Sequence, residues 1–175
     1  MKTTLCVASV LALALPMLAA DKAPETTQVQ RGHQLFLKST KGIACANCHS
    51  MAGIGTAIAP DLTSMATYAP PRGLVATMHM TMTEHVQSVK TAVGSFPALL
   101  KQKQGDESEF WDLSQTPPVL RKLTAKQIVS VERDQKWQHP PSVTEYTSQE
   151  LADLVAFLRY AATGSVKEIK PADVE

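Results

Sequence analysis

The sequence predicts a mostly α-helical protein with a small antiparallel β insertion in its middle. The helical part is indicated by apolar side chains at i, i+3, i+4 and i+7, counted from Leu151. The β part is indicated by short segments rich in β-branched and aromatic residues, which lie between residues 93 and 135 and are separated by turn signals. A chain of 175 residues is long enough for one domain with an insertion.

The first 20 residues have the composition of a secretory signal peptide. Lys2 precedes an apolar run that Pro16 interrupts, and the small residue Ala20 marks the expected cleavage site. The run is shorter than the ~20 apolar residues of a membrane span. We therefore expect residues 1–20 to be removed, no transmembrane segment to remain, and the protein to be periplasmic or otherwise exported.

The charge balance argues against a partner that is a polyanion. The chain has 17 basic and 16 acidic residues. Lys2 is the one charged residue of the signal segment, so cleavage leaves 16 of each sign. Nucleic-acid binding normally requires a basic excess. We therefore expect no nucleic acid among the partners.

The elements before the insertion are predicted in chain order. Residues 29–38, VQRGHQLFLK, form an amphipathic helix. Residues 39–62 are rich in glycine and alanine and predict a loop that wraps tightly. A second helix, over residues 71–89, is opened by the prolines at positions 70 and 71.

The elements after the start of the insertion follow from turn and capping signals. Residues 93–135 predict the small antiparallel β insertion. Thr147 and Glu150 have the spacing of a capping box, and the helix that they open should stop at Gly164. We expect one domain over residues 21–164 and a polar tail over residues 165–175.

The stretch CANCHS carries the chemistry. Cys45, Cys48 and His49 form a C-x-x-C-H motif. In this motif the two thiols bind haem vinyl groups covalently and the histidine binds the iron. The motif occurs once, so the sequence predicts one covalently attached haem c.

Four segments, RGHQLF, CANCHS, APDL and ELADLVAFLRY, occur in this order and resemble the class I c-type cytochromes. The resemblance covers residues 29–68 and 137–162. It implies the cytochrome c fold, with about three to five helices around one haem and the β insertion in the middle. The chain also looks similar to the monohaem domains of secreted bacterial cytochromes associated with quinoprotein-type dehydrogenases.

The resemblance also implies roles for single residues. Cys45 and Cys48 would form the thioethers, and His49 would be the proximal ligand. Pro60 would accept the N–H of the proximal imidazole through its carbonyl oxygen, and Leu62 would line the haem pocket.

The two terminal helices of this family cross each other. The resemblance implies that Gly32 and Phe36 meet the last helix near Leu154 and Phe157. Glycine allows the backbones to approach there, and the aromatic ring fills the adjacent space.

The distal iron ligand is where the sequence departs from the family. His139 and Pro140 stand where the family has a Met-Pro pair, which makes His139 the leading candidate. The alternatives are methionines of the stretch MHMTMTEH, residues 78–85. Met80, Met82 and, third, Met78 are the runner-up ligands, and the same soft side chains would suit copper(I).

These features predict an exported carrier of single electrons between periplasmic redox partners. A periplasmic dehydrogenase or a terminal oxidase is the expected kind of partner. With protein ligands on both faces, substrate could not reach the iron, so the protein is expected to be an electron carrier or an electron-transfer subunit and not an enzyme. The alternative is a haem protein with a labile or open sixth site, acting as a gas sensor or a peroxide-reactive enzyme.

Overall fold

The structure is a computed structural model that describes residues 22–39, 41–80, 85–140 and 145–175. The predicted signal peptide, residues 1–20, and the candidate ligand Met82 lie outside the described residues. The described chain contains four α-helices. They are α1 (Thr27–Leu37), α2 (Thr63–Tyr68), α3 (Pro71–Met78) and α4 (Ser148–Thr163).

The C-terminal helix α4 forms the centre of the helical core. Its capping box is present as predicted, because Thr147 accepts from the Glu150 N–H while the Glu150 carboxylate accepts from the Thr147 N–H. It ends at Gly164, whose φ of 74° lies in the left-handed region. Between these ends, every residue from Leu151 to Leu158 is buried.

Helices α1 and α4 cross in close contact at Gly32. A Cβ atom at this position would lie 1.9 Å from the Asp153 carbonyl oxygen and 2.8 Å from the Phe157 Cβ. Next to it, Phe36 packs on Phe157 with ring centroids 5.3 Å apart. The predicted crossing is therefore confirmed, because only a residue without a side chain lets the two backbones approach this closely.

A charged pair closes the same crossing from the outside. Arg31 donates from Nε and Nη2 to the two carboxylate oxygens of Asp153, at 2.6 and 2.8 Å. Burial of Asp153 acts to raise its pKa, but the hydrogen bonds from Arg31, Gln149 and Gln28 outweigh burial and leave the pKa lowered. The buried carboxylate is thus held in its charged form.

A five-stranded antiparallel sheet, which we call the sheet, occupies the middle of the chain. Its spatial order is β6-β5-β4-β3-β7, so the first and last of its strands in sequence are neighbours. A separate two-stranded hairpin, β1 with β2, follows the C-x-x-C-H motif. The strands are β1 (Ser50–Met51), β2 (Ile54–Gly55), β3 (Gln87–Thr91), β4 (Gly94–Gln104), β5 (Glu107–Asp112), β6 (Val119–Thr124) and β7 (Ile128–Arg133).

The sheet has a small core of its own. The residues buried in this cluster are Val89, Phe96, Ala98 and Phe110. Asp112 is also fully buried. Its Oδ2 atom has no hydrogen bond of good geometry, but it lies 2.6 Å from Arg121 Nη2, which balances its charge.

The chain enters and leaves the sheet at one point, which we call the neck. Val86 directly precedes β3, and Asp134 directly follows β7. The Asp134 N–H donates to the Val86 carbonyl oxygen at 2.9 Å. The neck arises because β3 and β7 pair with each other, with Gln87 opposite Arg133. The two ends of the sheet segment therefore lie side by side.

The prediction of a mostly α-helical fold is wrong. The structure is 35% helical and 26% strand, with a five-stranded antiparallel sheet beside four helices. Part of the error lies in the helix expected over residues 71–89, because α3 ends at Met78 and β3 begins at Gln87. Strand β3 forms a tight hairpin with β4, with Thr91 opposite Gly94. On its other side it pairs with the distant strand β7, and this long-range pairing overrides a local helical pattern.

Two further features complete the fold. The segment after α4 packs Ile169 and Val174 into the helical core, and its residues Pro171–Asp173 form a 3-10 turn. In the described ranges, no helix has the length and apolar character that crossing a membrane requires.

Candidate haem site

The C-x-x-C-H motif folds into a tight turn directly after a loop. Cys45–Asn47 form one turn of 3-10 helix, and the Cys45 carbonyl oxygen accepts from the N–H groups of Cys48 and His49, at 3.1 and 2.9 Å. Neither cysteine is in a disulfide. Burial raises the pKa of the Cys45 thiol to about 11 and also raises the pKa of Cys48, so before haem attachment the buried turn disfavours a thiolate.

The hairpin of β1 and β2 supports the turn from behind. At Gly55 an added Cβ would lie 2.4 Å from the His49 carbonyl oxygen, and the φ of this residue is +89°. The next residue, Thr56, donates its N–H to the carbonyl oxygens of both Ala46 and His49. Gly55 is thus required for the close packing of the motif, a role that our sequence analysis missed although the glycine follows the motif closely.

The ring of His49 is oriented by the loop that follows. Its Nδ1 lies 2.8 Å from the Pro60 carbonyl oxygen, and because a carbonyl only accepts, Nδ1 carries the proton. Ile58 and Ala59 donate their N–H groups to the Cys48 carbonyl oxygen, at 3.0 and 2.7 Å. These bonds fix the position of the loop and leave Nε2 of His49 as the nitrogen available to a metal.

Asp61 and Leu62 continue this loop. The Asp61 carboxylate accepts from the Ser50 hydroxyl at 2.6 Å and from the Thr63 N–H at 2.8 Å. Hydrogen bonds from these two residues lower the pKa of Asp61. Leu62 donates its N–H to the Ser50 carbonyl oxygen, and its side chain packs against the helical core.

His139 lies opposite His49. The two ring centroids are 6.1 Å apart and the ring planes are inclined by 33°. Nδ1 of His139 lies 3.3 Å from the Pro140 carbonyl oxygen, so Nε2 is again the remaining nitrogen. Burial, and to a lesser extent the charge of His49, lowers the pKa of His139, which favours the neutral imidazole that binds metals.

The separation of the two rings fits one metal ion between them. A histidine nitrogen binds a metal at about 2 Å, so two axial nitrogens lie about 4 Å apart and the ring centres about 6 Å apart. The observed 6.1 Å agrees with this value. The two histidines are far apart in the sequence, because His49 belongs to the loop after α1 and His139 to the segment after the sheet.

The rival ligands are less well placed. Met80 is 60% exposed, Met78 packs against the helical core, and Met82 lies outside the described residues. Within the described ranges, no three His, Cys, Asp or Glu side chains are grouped so that they could hold a metal ion.

Trp137 is a further neighbour of His139 that the sequence did not identify as part of the site. Its ring meets the His139 ring edge-on, with centroids 6.2 Å apart and an interplanar angle of 83°. The short stretch DQKWQH could have indicated this neighbour, because an aspartate three residues before the tryptophan is typical of the start of a turn.

A tight C-x-x-C-H turn, followed by a histidine ring that a backbone carbonyl orients, is typical of a protein that binds haem covalently and transfers electrons. Residues 29–162 match the sequence model of the family described as cytochrome c. This match spans most of the chain, which therefore belongs to the cytochrome c family. As a family member it carries covalently bound haem c, acts as an electron carrier and requires a redox partner. No curated protein matches the sequence.

Proposed function

We propose that this protein is an exported monohaem cytochrome that transfers single electrons between periplasmic redox partners, with His49 as the proximal and His139 as the distal ligand. The observation that carries the proposal is the 6.1 Å separation of the two imidazole rings. Cys45 and Cys48 would attach the haem, and Leu62 would lie beside it.

The residues of the chain hold and tune the group. When bound, the haem supplies the one-electron redox chemistry. The Pro60 carbonyl fixes the ring of His49 and increases its basicity through the Nδ1–H bond. An imidazole in place of the thioether of methionine favours the oxidised state, because methionine ligation raises the reduction potential. We therefore expect a lower potential than that of a His/Met cytochrome.

Features of the sequence support a class of partner and a compartment. The composition of residues 1–20 supports export to the periplasm. The balanced charge of the remainder supports docking with modest electrostatic steering. A periplasmic dehydrogenase, including one of the quinoprotein type, or a terminal oxidase would supply or accept the electron.

The test is the absorption spectrum of the oxidised protein in the far red, where a methionine–iron(III) bond gives a weak charge-transfer band. We expect no such band, and we expect His139→Ala to become high-spin. Added imidazole should restore the low-spin spectrum of this variant. His79→Ala, which alters an exposed histidine, is the matched control and should leave the spectrum unchanged.

Two outcomes would contradict the proposal in different ways. A far-red band that persists in His139→Ala assigns the distal position to a methionine, and then Met80→Ala, Met82→Ala and Met78→Ala identify which one. Rapid binding of CO to the reduced native protein would instead indicate an open or labile sixth site, as a gas sensor or a peroxide-reactive enzyme requires.

A further inference from the structure

We propose that Asp134 is a positioning residue for the distal histidine and that it acts through Trp137. This inference rests on the proposed ligation by His139 and identifies what holds that side chain opposite His49. It gives the sheet a role at the haem site, because Asp134 lies at the neck.

The neck fixes the starting point of the distal segment. The Asp134 N–H donates to the Val86 carbonyl oxygen at 2.9 Å, directly beside the paired strands β3 and β7. The backbone of residue 134 is therefore held by the sheet. Helix α4 begins only at Ser148, so the neck is the nearer of the two secondary-structure anchors of His139.

The side chain of Asp134 then determines the direction of the chain. Its Oδ1 atom accepts from the N–H groups of Lys136 and Trp137, at 3.0 and 2.9 Å. An aspartate that bonds to the backbone two and three residues later closes a compact turn. The turn places the half-buried Trp137 next to the neck.

Trp137 completes the connection to the ligand. Its ring stands at 83° to that of His139, with centroids 6.2 Å apart, which is a favourable edge-to-face arrangement. A bulky ring on this side limits rotation of the imidazole and keeps it facing His49. Without the turn, Trp137 and His139 would share a freely moving segment.

The experiment measures the rate at which CO binds to the reduced holoprotein, because CO must wait for the distal ligand to leave. Loss of a capping interaction changes a local equilibrium by about fivefold, so Asp134→Ala should accelerate CO binding by about this factor. Asparagine caps about as well as aspartate, so Asp134→Asn should stay within about twofold of the native rate. In a separate sample of the oxidised protein, the high-spin fraction of Asp134→Ala should exceed that of the native protein.

The matched control is Asp173→Ala. Asp173 also accepts from a backbone N–H, that of Lys170 at 2.8 Å, but in the turn at the C-terminus. Its removal should leave the rate of CO binding unchanged. A similar acceleration in both variants would mean a general loosening of the protein and would overturn the proposal.

The remaining outcomes separate this inference from the proposed function. A native CO rate in Asp134→Ala, together with a high-spin His139→Ala, overturns the positioning role and leaves the ligation standing. A low-spin His139→Ala refutes the ligation and with it the inference. If Asp134→Ala does not accumulate, Trp137→Ala is the test, because it keeps the turn bonds, and a native rate there overturns the proposal.

Discussion

The helical part and the sheet are stabilised in different ways. In the helical part, two helices cross so closely that backbone atoms of Asp153 touch Gly32, and a continuous apolar core surrounds them. The sheet has only a small apolar cluster, and its strands carry surface ion pairs such as Lys101 with Glu109 and Lys122 with Glu107, which contribute little to stability. We therefore expect the sheet, which is attached at the neck, to loosen separately from the helical part, against whose core Cys45 of the C-x-x-C-H motif packs.

The largest expected effect comes from removing one buried ring in each part. Phe36 and Phe110 are both almost fully buried, and replacing either by alanine should cost about 3–5 kcal/mol. Hydrogen exchange should become faster over the whole helical part in Phe36→Ala, and only in β3–β7 in Phe110→Ala. If both variants increase exchange everywhere, the two parts unfold as one unit and the comparison fails.

Gly32→Ala tests the close crossing. The new Cβ would overlap the carbonyl of Asp153, so α1 and α4 must separate, and we expect a loss of about 3 kcal/mol. Gly73→Ala in α3 is the control, since its nearest neighbour would be Pro70 Cδ at 3.2 Å, and helix propensity favours alanine. An equal decrease in Tm in the two variants, measured by thermal unfolding, would contradict the proposed importance of this crossing.

Low pH should weaken the crossing of α1 and α4, because it protonates Asp153. Its pKa is lowered in the folded protein, so its contribution is present above the unfolded pKa of about 3.9 and is lost as the pH falls through the folded value. Because Arg31 is half exposed, we expect a contribution of only about 1–2 kcal/mol.

The measurement compares unfolding of the native protein and of Asp153→Asn at neutral pH and below pH ~4. The native protein should be the more stable at neutral pH, and the difference should shrink in acid. A difference that stays constant across this range would show that the Asp153 carboxylate does not titrate as the geometry implies.

The smallest effect concerns two capping boxes, one in each part. Thr147 caps α4, and Thr124 caps the 3-10 turn Ala125–Gln127 between β6 and β7. Each threonine-to-alanine change should cost about 1 kcal/mol locally. When chemical denaturation is monitored by haem absorbance, Thr147→Ala should lower the measured stability and Thr124→Ala should not. Equal effects of the two variants would mean that the sheet and the helical part unfold together.

How far each part could be predicted reflects the range of the interactions that form it. Helix α4 followed from side chains within one helix, because Thr147, Glu150 and Gly164 act on neighbours in the sequence. Strand β3 could not be predicted in the same way, because one of its two partners, β7, lies far along the chain. Without that pairing, the sequence of β3 is compatible with a helix that continues α3.

The sequence by itself determined the covalent haem attachment and the candidate pair His49 and His139, because thioether chemistry and ligand identity depend on residue type and local spacing. Only the tertiary structure decided that the two imidazole rings lie 6.1 Å apart and that Trp137, bonded through its N–H to Asp134, meets the ring of His139 edge-on. The sheet between the two histidines adds many residues to the chain path but almost no distance, because β3 and β7 pair with each other and close the neck. Such a return depends on hydrogen bonds between distant residues, and local sequence patterns do not encode them.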